Sequence, residues 1–143
     1  MAVEFRLQSD SEATVYKLVT IASQAYAIGD LVQFSRSAAT VTPATSSTIT
    51  ANVCGVAVSA QISTDTQLLV ALATDRQTWS VDATNTPNTA HNYQRMALTD
   101  KGTVNNTGTD QSGTSGIFEQ WGIDPNNSTT RIVGRLLVGH ATT

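Results

Sequence analysis

The chain has 143 residues, a net charge of −3 and only 13% charged residues, about half the share found in an ordinary soluble domain. Its polarity comes instead from 23 threonines and 13 serines. The lack of a basic excess argues against nucleic-acid binding, and no apolar run approaches the ~20 residues that cross a bilayer. We therefore expect neither nucleic acid nor membrane as a partner.

The first dozen residues predict a strand with one covered face. Val3, Phe5 and Leu7 alternate with polar residues, which is the period of a strand. The segment could be an edge strand of the domain, or an arm over residues 1–12 that becomes ordered against a neighbouring chain. Residues 13–143 are assigned to a β domain, with a possible internal boundary near residue 75.

The remainder of the chain predicts short strands separated by turns. The β-branched run Thr14–Ile21 favours a strand, although the apolar spacing over Val15–Ile28 also fits a helix. Further strands are predicted at Leu31–Ser35, Thr48–Ser59, Gln67–Ala73, Gln77–Val81, Ile117–Ile123 and Thr130–Val138, and ordered structure is expected over Tyr93–Leu98. Between them, a loop or loose edge is predicted at Ser37–Ser47, and polar loops at Asp82–Asn92 and Thr99–Gly116. Turn signals every ~8–12 residues indicate an all-β fold of small barrel or sandwich modules without long helices.

The sequence offers no recognisable set of catalytic or metal-binding residues. His91 and His140 lie outside any nucleophile motif, and the scattered acids form no calcium loop. A small β-barrel enzyme would need a site clustered around Asp75, Asp82 and His91, but acids at strand ends favour turn capping. The single Cys54 lies in an apolar run and fits a buried thiol. We predict a chain that is not an enzyme and has no cofactor, no metal and no catalytic residue.

The large aromatic residues of the C-terminal half permit two interpretations. Trp79, Tyr93, Phe118 and Trp121 fit best in the core or at a subunit contact. Alternatively, a carbohydrate-binding or host-adhesion module would expose such side chains near Trp79, Tyr93 or Trp121. Exposure therefore separates the two interpretations.

The order of several short segments resembles the small capsid decoration, or cement, proteins of tailed bacteriophages. In the N-terminal part, the similar segments are Tyr26–Val32 (YAIGDLV) and Val53–Ala57 (VCGVA). In the C-terminal part they are Trp79–Thr84 (WSVDAT), Met96–Asp100 (MALTD), Thr103–Asn105 (TVN), Trp121–Asn126 (WGIDPN) and Arg131–Leu137 (RIVGRLL). Together they span most of residues 26–137, and the polar stretch Gly102–Gly116 is longer than the family pattern requires.

The resemblance implies small β modules with a β-tulip-like N-terminal part, assembled as a homotrimer. It also implies a place on the outer surface of the virion, where the protein would bind the major capsid protein after synthesis in the host cytoplasm. The family carries no catalytic residues. We expect subunit or capsid contacts at Val3, Phe5, Leu7 and Trp121, with Val3–Leu7 extending a neighbour's sheet by backbone pairing.

Overall fold

The all-β prediction is confirmed. The computed structural model describes residues 4–10, 14–22, 25–60, 66–107, 110–111 and 113–139, and Val3 and His140 lie outside them. Within these residues the regular structure consists of strands and two three-residue 3-10 turns, Thr50–Asn52 and Thr89–His91. The strands are β1 (Phe5–Asp10), β2 (Tyr16–Thr20), β3 (Leu31–Ser35), β4 (Thr40–Pro43), β5 (Val53–Ala57), β6 (Gln67–Leu72), β7 (Gln77–Ala83), β8 (Arg95–Met96), β9 (Leu98–Asp100), β10 (Thr103–Val104), β11 (Phe118–Ile123) and β12 (Arg131–Leu136). In this part of the chain, no helix is long and apolar enough to cross a membrane.

The N-terminal half forms a five-stranded sheet in the order β2-β6-β5-β3-β4. Every ladder in it is antiparallel. The sheet curls until its two edges meet at one point, where Ile21 and Val41 form a parallel bridge and the Ala22 N–H donates to the Val41 carbonyl at 3.1 Å. The apolar interior of this nearly closed barrel is made by Ile21, Tyr26, Val32, Val41, Cys54, Ala57, Leu68 and Val70.

The C-terminal half forms a second sheet in the order β8-β11-β12-β7-β10-β9, with β1 lying beside β7. Only Ala97 separates β8 from β9, so the two ends of this strand order are joined through one residue. The sheet therefore also curves back toward itself.

The two sheets share the larger core. Leu31, Val53 and Val56 of the first sheet pack in one cluster with Trp79 and Phe118 of the second. The chain passes from the first sheet to the second between β6, which ends at Leu72, and β7, which begins at Gln77. A domain boundary near residue 75 stays a prediction.

β1 is an edge strand paired with β7 of its own chain. Phe5 is only 2% exposed, its ring meets Phe118 edge-on at 6.2 Å, and its N–H donates to the Gly29 carbonyl at 2.9 Å. The expected apolar face is covered only in part, since Leu7 is 36% exposed next to a register shift between Leu7 and Ser9. A contact between this strand and a neighbouring chain stays a prediction.

Several element boundaries differ from the expected ones. Tyr16–Thr20 is a strand, as the β-branched composition predicted, and not a helix. The strand expected over Thr48–Ser59 begins only at Val53, because the preceding residues Thr50–Asn52 form a 3-10 turn. The segment predicted as a loop or loose edge contains β4, which pairs on one side with β3.

Candidate functional site

The acids and histidine considered for an enzymatic site are not brought together. Asp75 precedes β7 and Asp82 lies near its end, so at ~3.3 Å per residue they are separated by roughly 20 Å. His91 is half-buried in the second 3-10 turn, and its Nδ1 finds no hydrogen-bond partner among the described residues. Within the same part of the chain, no group of three or more His, Cys, Asp or Glu could hold a metal ion.

Asp82 instead pairs with a buried arginine. Arg131 is 0% exposed and donates from Nη1 to Asp82 Oδ2 at 2.7 Å and from Nε to Ser80 Oγ at 2.9 Å. Its Nη2 donates to the carbonyls of Ser80 at 2.7 Å and Glu4 at 2.8 Å. Burial lowers the pKa of Arg131, and the charge of Asp82 opposes that shift. The Arg131 guanidinium thus links the residue before β1 and the strand β7 to β12, which is a structural role.

Asp124 extends this network. Burial alone would raise the pKa of Asp124, but the hydrogen bonds from Ser80 and from the Asn126 N–H, together with the charge of Arg131, lower it overall. The Ser80 hydroxyl donates to Asp124 Oδ2 at 2.6 Å, and the Asn126 N–H donates to Oδ1 at 2.9 Å. Asp124 therefore stays ionised inside the protein and stabilises the turn between β11 and β12.

Cys54 is a buried thiol in the interior of the five-stranded barrel. Burial raises its pKa to about 11, and the positive charge of Lys17 opposes the rise only partly. A thiol with so high a pKa is protonated and poorly nucleophilic at neutral pH.

The aromatic residues divide between core and surface. Trp79 and Phe118 are buried, whereas Tyr93 is 74% and Trp121 is 42% exposed. The exposure of Trp121 excludes the core position considered for it and leaves the subunit or capsid contact as a prediction. The indole of Trp121 donates from Nε1 to Glu119 Oε1 at 2.8 Å.

Tyr93 is held at the surface by the buried Gln120. The side-chain Nε2 of Gln120 donates to the Asn88 carbonyl at 2.9 Å and to Asn92 Oδ1 at 2.8 Å, and the Tyr93 N–H donates to the Gln120 carbonyl at 2.6 Å. Tyr93 has φ of 70°, a left-handed conformation that costs energy in a residue other than glycine. The loop thus maintains an exposed tyrosine in a strained conformation.

A cluster of charges borders Trp121. Glu119 Oε1 accepts from Arg135 Nε at 3.1 Å, and Glu119 Oε2 lies 3.9 Å from Arg95 Nε. The guanidinium of Arg135 lies 5.8 Å from the centre of the Trp121 ring. Both arginines also line a shallow cleft of about 370 Å³, and Asp75 is another of its lining residues.

The strand β2 is an edge of the five-stranded sheet with an unusually exposed apolar surface. Val15, Tyr16 and Leu18 are each 57–58% exposed, and β2 has β6 as its only ladder partner among the described strands. An exposed apolar edge is a site at which another chain can pair. It is therefore the strongest candidate for a protein-binding surface.

Beside β2 an open groove separates it from the β3–β4 hairpin. The groove has a volume of about 460 Å³ and is lined by Lys17, Leu18, Val19, Thr20, Phe34, Ser35, Arg36, Ala39, Thr40 and Val41. We call it the β2–β4 groove. Sequence reasoning missed this groove, because apolar residues on both faces of Val15–Val19 are also typical of a buried strand.

The chain matches no family model, no curated protein and no solved structure.

Proposed function

We propose that the chain is a capsid decoration protein of a tailed bacteriophage. It binds the outer surface of an icosahedral shell as a homotrimer and stabilises the contacts between neighbouring major capsid proteins. It acts by binding, without a catalytic residue or cofactor. The proposal starts from the resemblance of the segments between residues 26 and 137 and is consistent with an all-β fold of two small sheets.

The observation that carries the proposal is the exposed edge β2. Isolated monomers usually protect a sheet edge with charges, proline or a covering segment. Here the edge presents Val15, Tyr16 and Leu18 to solvent on a chain with only 13% charged residues. A surface of this kind is stabilised when a second protein covers it.

The trimer supplies the affinity that a small footprint lacks. One chain of 15.1 kDa offers only limited contact area, but three linked copies bind neighbouring capsid subunits together, so avidity can raise affinity by about 10²–10⁴. Trimer formation also suits a site of threefold symmetry on a shell.

Sedimentation with shells tests the function. Expanded, DNA-free shells of the virus from which the sequence comes are incubated with the purified protein, and the bound fraction is measured after pelleting. We expect saturable binding and shells that resist heating better than undecorated ones, together with a mass in solution three times that of one chain. Absence of binding to the shells would refute the decoration function.

The exposure of Tyr93 and Trp121 supports a second candidate, a carbohydrate-binding or host-adhesion module of the virion. Sugar rings stack on exposed aromatic faces, and Glu119, Arg95 and Arg135 supply hydrogen-bonding groups beside Trp121. A glycan array with the fluorescently labelled protein tests it. Binding that disappears in Tyr93→Ala and Trp121→Ala but persists in Tyr16→Ala would support this function, and an array without signal would reject it.

A further inference from the structure

We propose that the β2–β4 groove takes up one extended, acidic segment of the partner as an added strand. That this segment belongs to the major capsid protein rests on the proposed function. The mode of binding rests on the backbone, the apolar floor and the charge of the groove.

The backbone of β2 presents free pairing positions to the groove. The Val15 carbonyl accepts from the Leu72 N–H, and the Ile21 N–H donates to the Thr66 carbonyl. The backbone N–H and C=O groups of the odd-numbered residues in and beside β2 therefore point toward β6. Because the backbone groups of a strand alternate in direction, those of Tyr16, Leu18 and Thr20 point into the groove. Among the described strands, none pairs with β2 on that side.

The opposite edge of the sheet is protected. At the end of β4, the Ala44 N–H donates to the Leu31 carbonyl of β3. The backbone groups of Val41 and Pro43 in β4 therefore point away from β3, toward the outside of the sheet. The Val41 carbonyl already accepts from the Ala22 N–H and from the Tyr26 hydroxyl, and Pro43 has no N–H to offer. Pairing is therefore directed to β2 and not to β4.

The side chains of the groove suit an alternating strand. Val19, Phe34 and Val41 form an apolar floor that continues into the barrel interior, while Leu18 stands exposed on the outer side. Strand addition obtains affinity from main-chain hydrogen bonds and specificity from pockets for alternate side chains. Every second residue of the added strand would pack on this floor.

The charge of the groove identifies an acidic occupant. Lys17 and Arg36 border the groove, and the described residues that line it include no Asp or Glu, although acids outnumber bases eleven to eight in the whole chain. Arg36 is fixed in position, since its Nη2 donates to the Ala51 carbonyl at 2.6 Å and its guanidinium lies 4.8 Å from the Phe34 ring centre. Opposite charge on a partner guides its approach and sets its register.

The direction of the added strand follows from the sheet. β2 and β4 run parallel where they meet at Ile21 and Val41, and every ladder of this sheet is antiparallel. A segment that runs antiparallel to β2 would continue the pattern of the sheet where it pairs, and it would also lie antiparallel to β4 on its other side without pairing with it. It would enter from the end of the groove near Tyr16, because the bond from Ala22 to Val41 closes the other end.

Peptide binding tests the groove directly with the full chain. The probe is a fluorescent synthetic peptide in which Val and Thr alternate and Glu stands at both ends, and its control carries Lys in place of Glu. We expect the acidic peptide to bind at least about tenfold more tightly at low salt. Equal affinity for the two peptides would overturn the acidic specificity.

Two pairs of variants are compared. The first separates the effect of a lost backbone N–H from that of a lost side chain, and the second separates the effect of charge at the groove from that of charge elsewhere on the protein. Leu18→Pro removes an N–H that faces the groove and no bond to β6, whereas Leu18→Ala keeps that N–H. We expect Leu18→Pro to lose about tenfold or more in affinity and Leu18→Ala to lose less. Lys17→Glu should weaken the acidic peptide, whereas Arg76→Glu, the same charge change in the exposed turn before β7, should not. Unchanged binding by Leu18→Pro would refute strand addition.

A version of the probe with methylated backbone nitrogens keeps the test valid if Leu18→Pro fails to fold. Methylation along the edge that pairs with β2 should abolish binding to the unaltered protein. If a peptide methylated on one edge and a peptide methylated on the other edge both still bind, the added strand is refuted.

Shell binding distinguishes this inference from the proposed function. Shells that bind wild type and Leu18→Pro equally would overturn the groove as the capsid site. Peptide binding without shell binding would support the groove and refute the capsid protein as the source. A trimer that dissociates in Leu18→Pro would show a second copy of the chain in the groove, and would overturn the capsid segment as occupant.

Discussion

Replacement of Asp82 by Ala would leave the guanidinium of Arg131 buried without the carboxylate that is bonded to it directly. The two side chains are 2.7 Å apart and almost fully buried, and only Ser80 and the Glu4 carbonyl would still accept from Arg131. Removal of one partner from a buried ion pair costs about 3–5 kcal/mol. We therefore expect Asp82→Ala to lose that much free energy of unfolding.

A double replacement separates the cost of an unpaired charge from the value of the pair. Arg131→Met with Asp82→Leu removes both charges at similar volume, and such apolar replacements are often neutral or stabilising. The carbonyls of Ser80 and Glu4 would lose a donor, so the double variant should be less stable than wild type. It should nevertheless be more stable than Asp82→Ala alone.

Urea denaturation followed by tryptophan fluorescence measures these differences, since Trp79 is buried beside the network. At this chain length a loss of 3–5 kcal/mol corresponds to a fall in Tm of roughly 10–20 °C. A loss below about 1 kcal/mol in Asp82→Ala would refute the reasoning. A double variant less stable than the single one would do so as well.

Three further predictions concern single side chains. Asp124 has a lowered pKa in the folded protein, so it contributes stability above the unfolded value of about 4 that is lost as the pH falls toward the folded pKa. Urea titrations from pH 7 to pH 2 should show this loss flattened in Asp124→Asn, and parallel curves would contradict it. Cys54, with a pKa of about 11, should react with a thiol reagent at pH 8 only at the rate of unfolding, and immediate labelling of the native protein would disprove its burial. Trp121→Ala should lower the free energy of unfolding by no more than about 1 kcal/mol, whereas Trp79→Ala should cost about 3–5 kcal/mol, and equal costs would contradict the assigned exposures.

Most strands could be predicted from the sequence, because the features that produce a strand act between residues close together in the chain. Alternating or β-branched residues between turn formers predicted β3, β6, β7, β11 and β12 closely, since side-chain period and turn chemistry act over a few residues. The start of β5 was predicted too early because Thr50–Asn52 has β-branched neighbours yet forms a 3-10 turn, which is fixed by its contacts rather than by composition.

The candidate surfaces were not predictable, because exposure depends on strands distant in sequence. Leu18 and Leu68 are both leucines in β-like runs, but Leu18 lies on an edge strand and Leu68 in the barrel interior. The burial of Arg131 likewise requires Asp82 and Ser80, about 50 residues earlier. The sequence could suggest Tyr93 and Trp121 as exposed aromatics only as one of two alternatives, which the fold then separated.

The position of β7 between β1 and β12 determines the order in which the chain can fold during synthesis. Residues 16–72 contain every strand of the first sheet, so this barrel can close while the rest of the chain is still being translated. β1 is made first but reaches its place only when β7 has left the ribosome, and the Glu4 carbonyl meets Arg131 127 residues later. Contacts of such long sequence separation slow folding, so the second sheet should assemble later than the first, around an already folded first sheet.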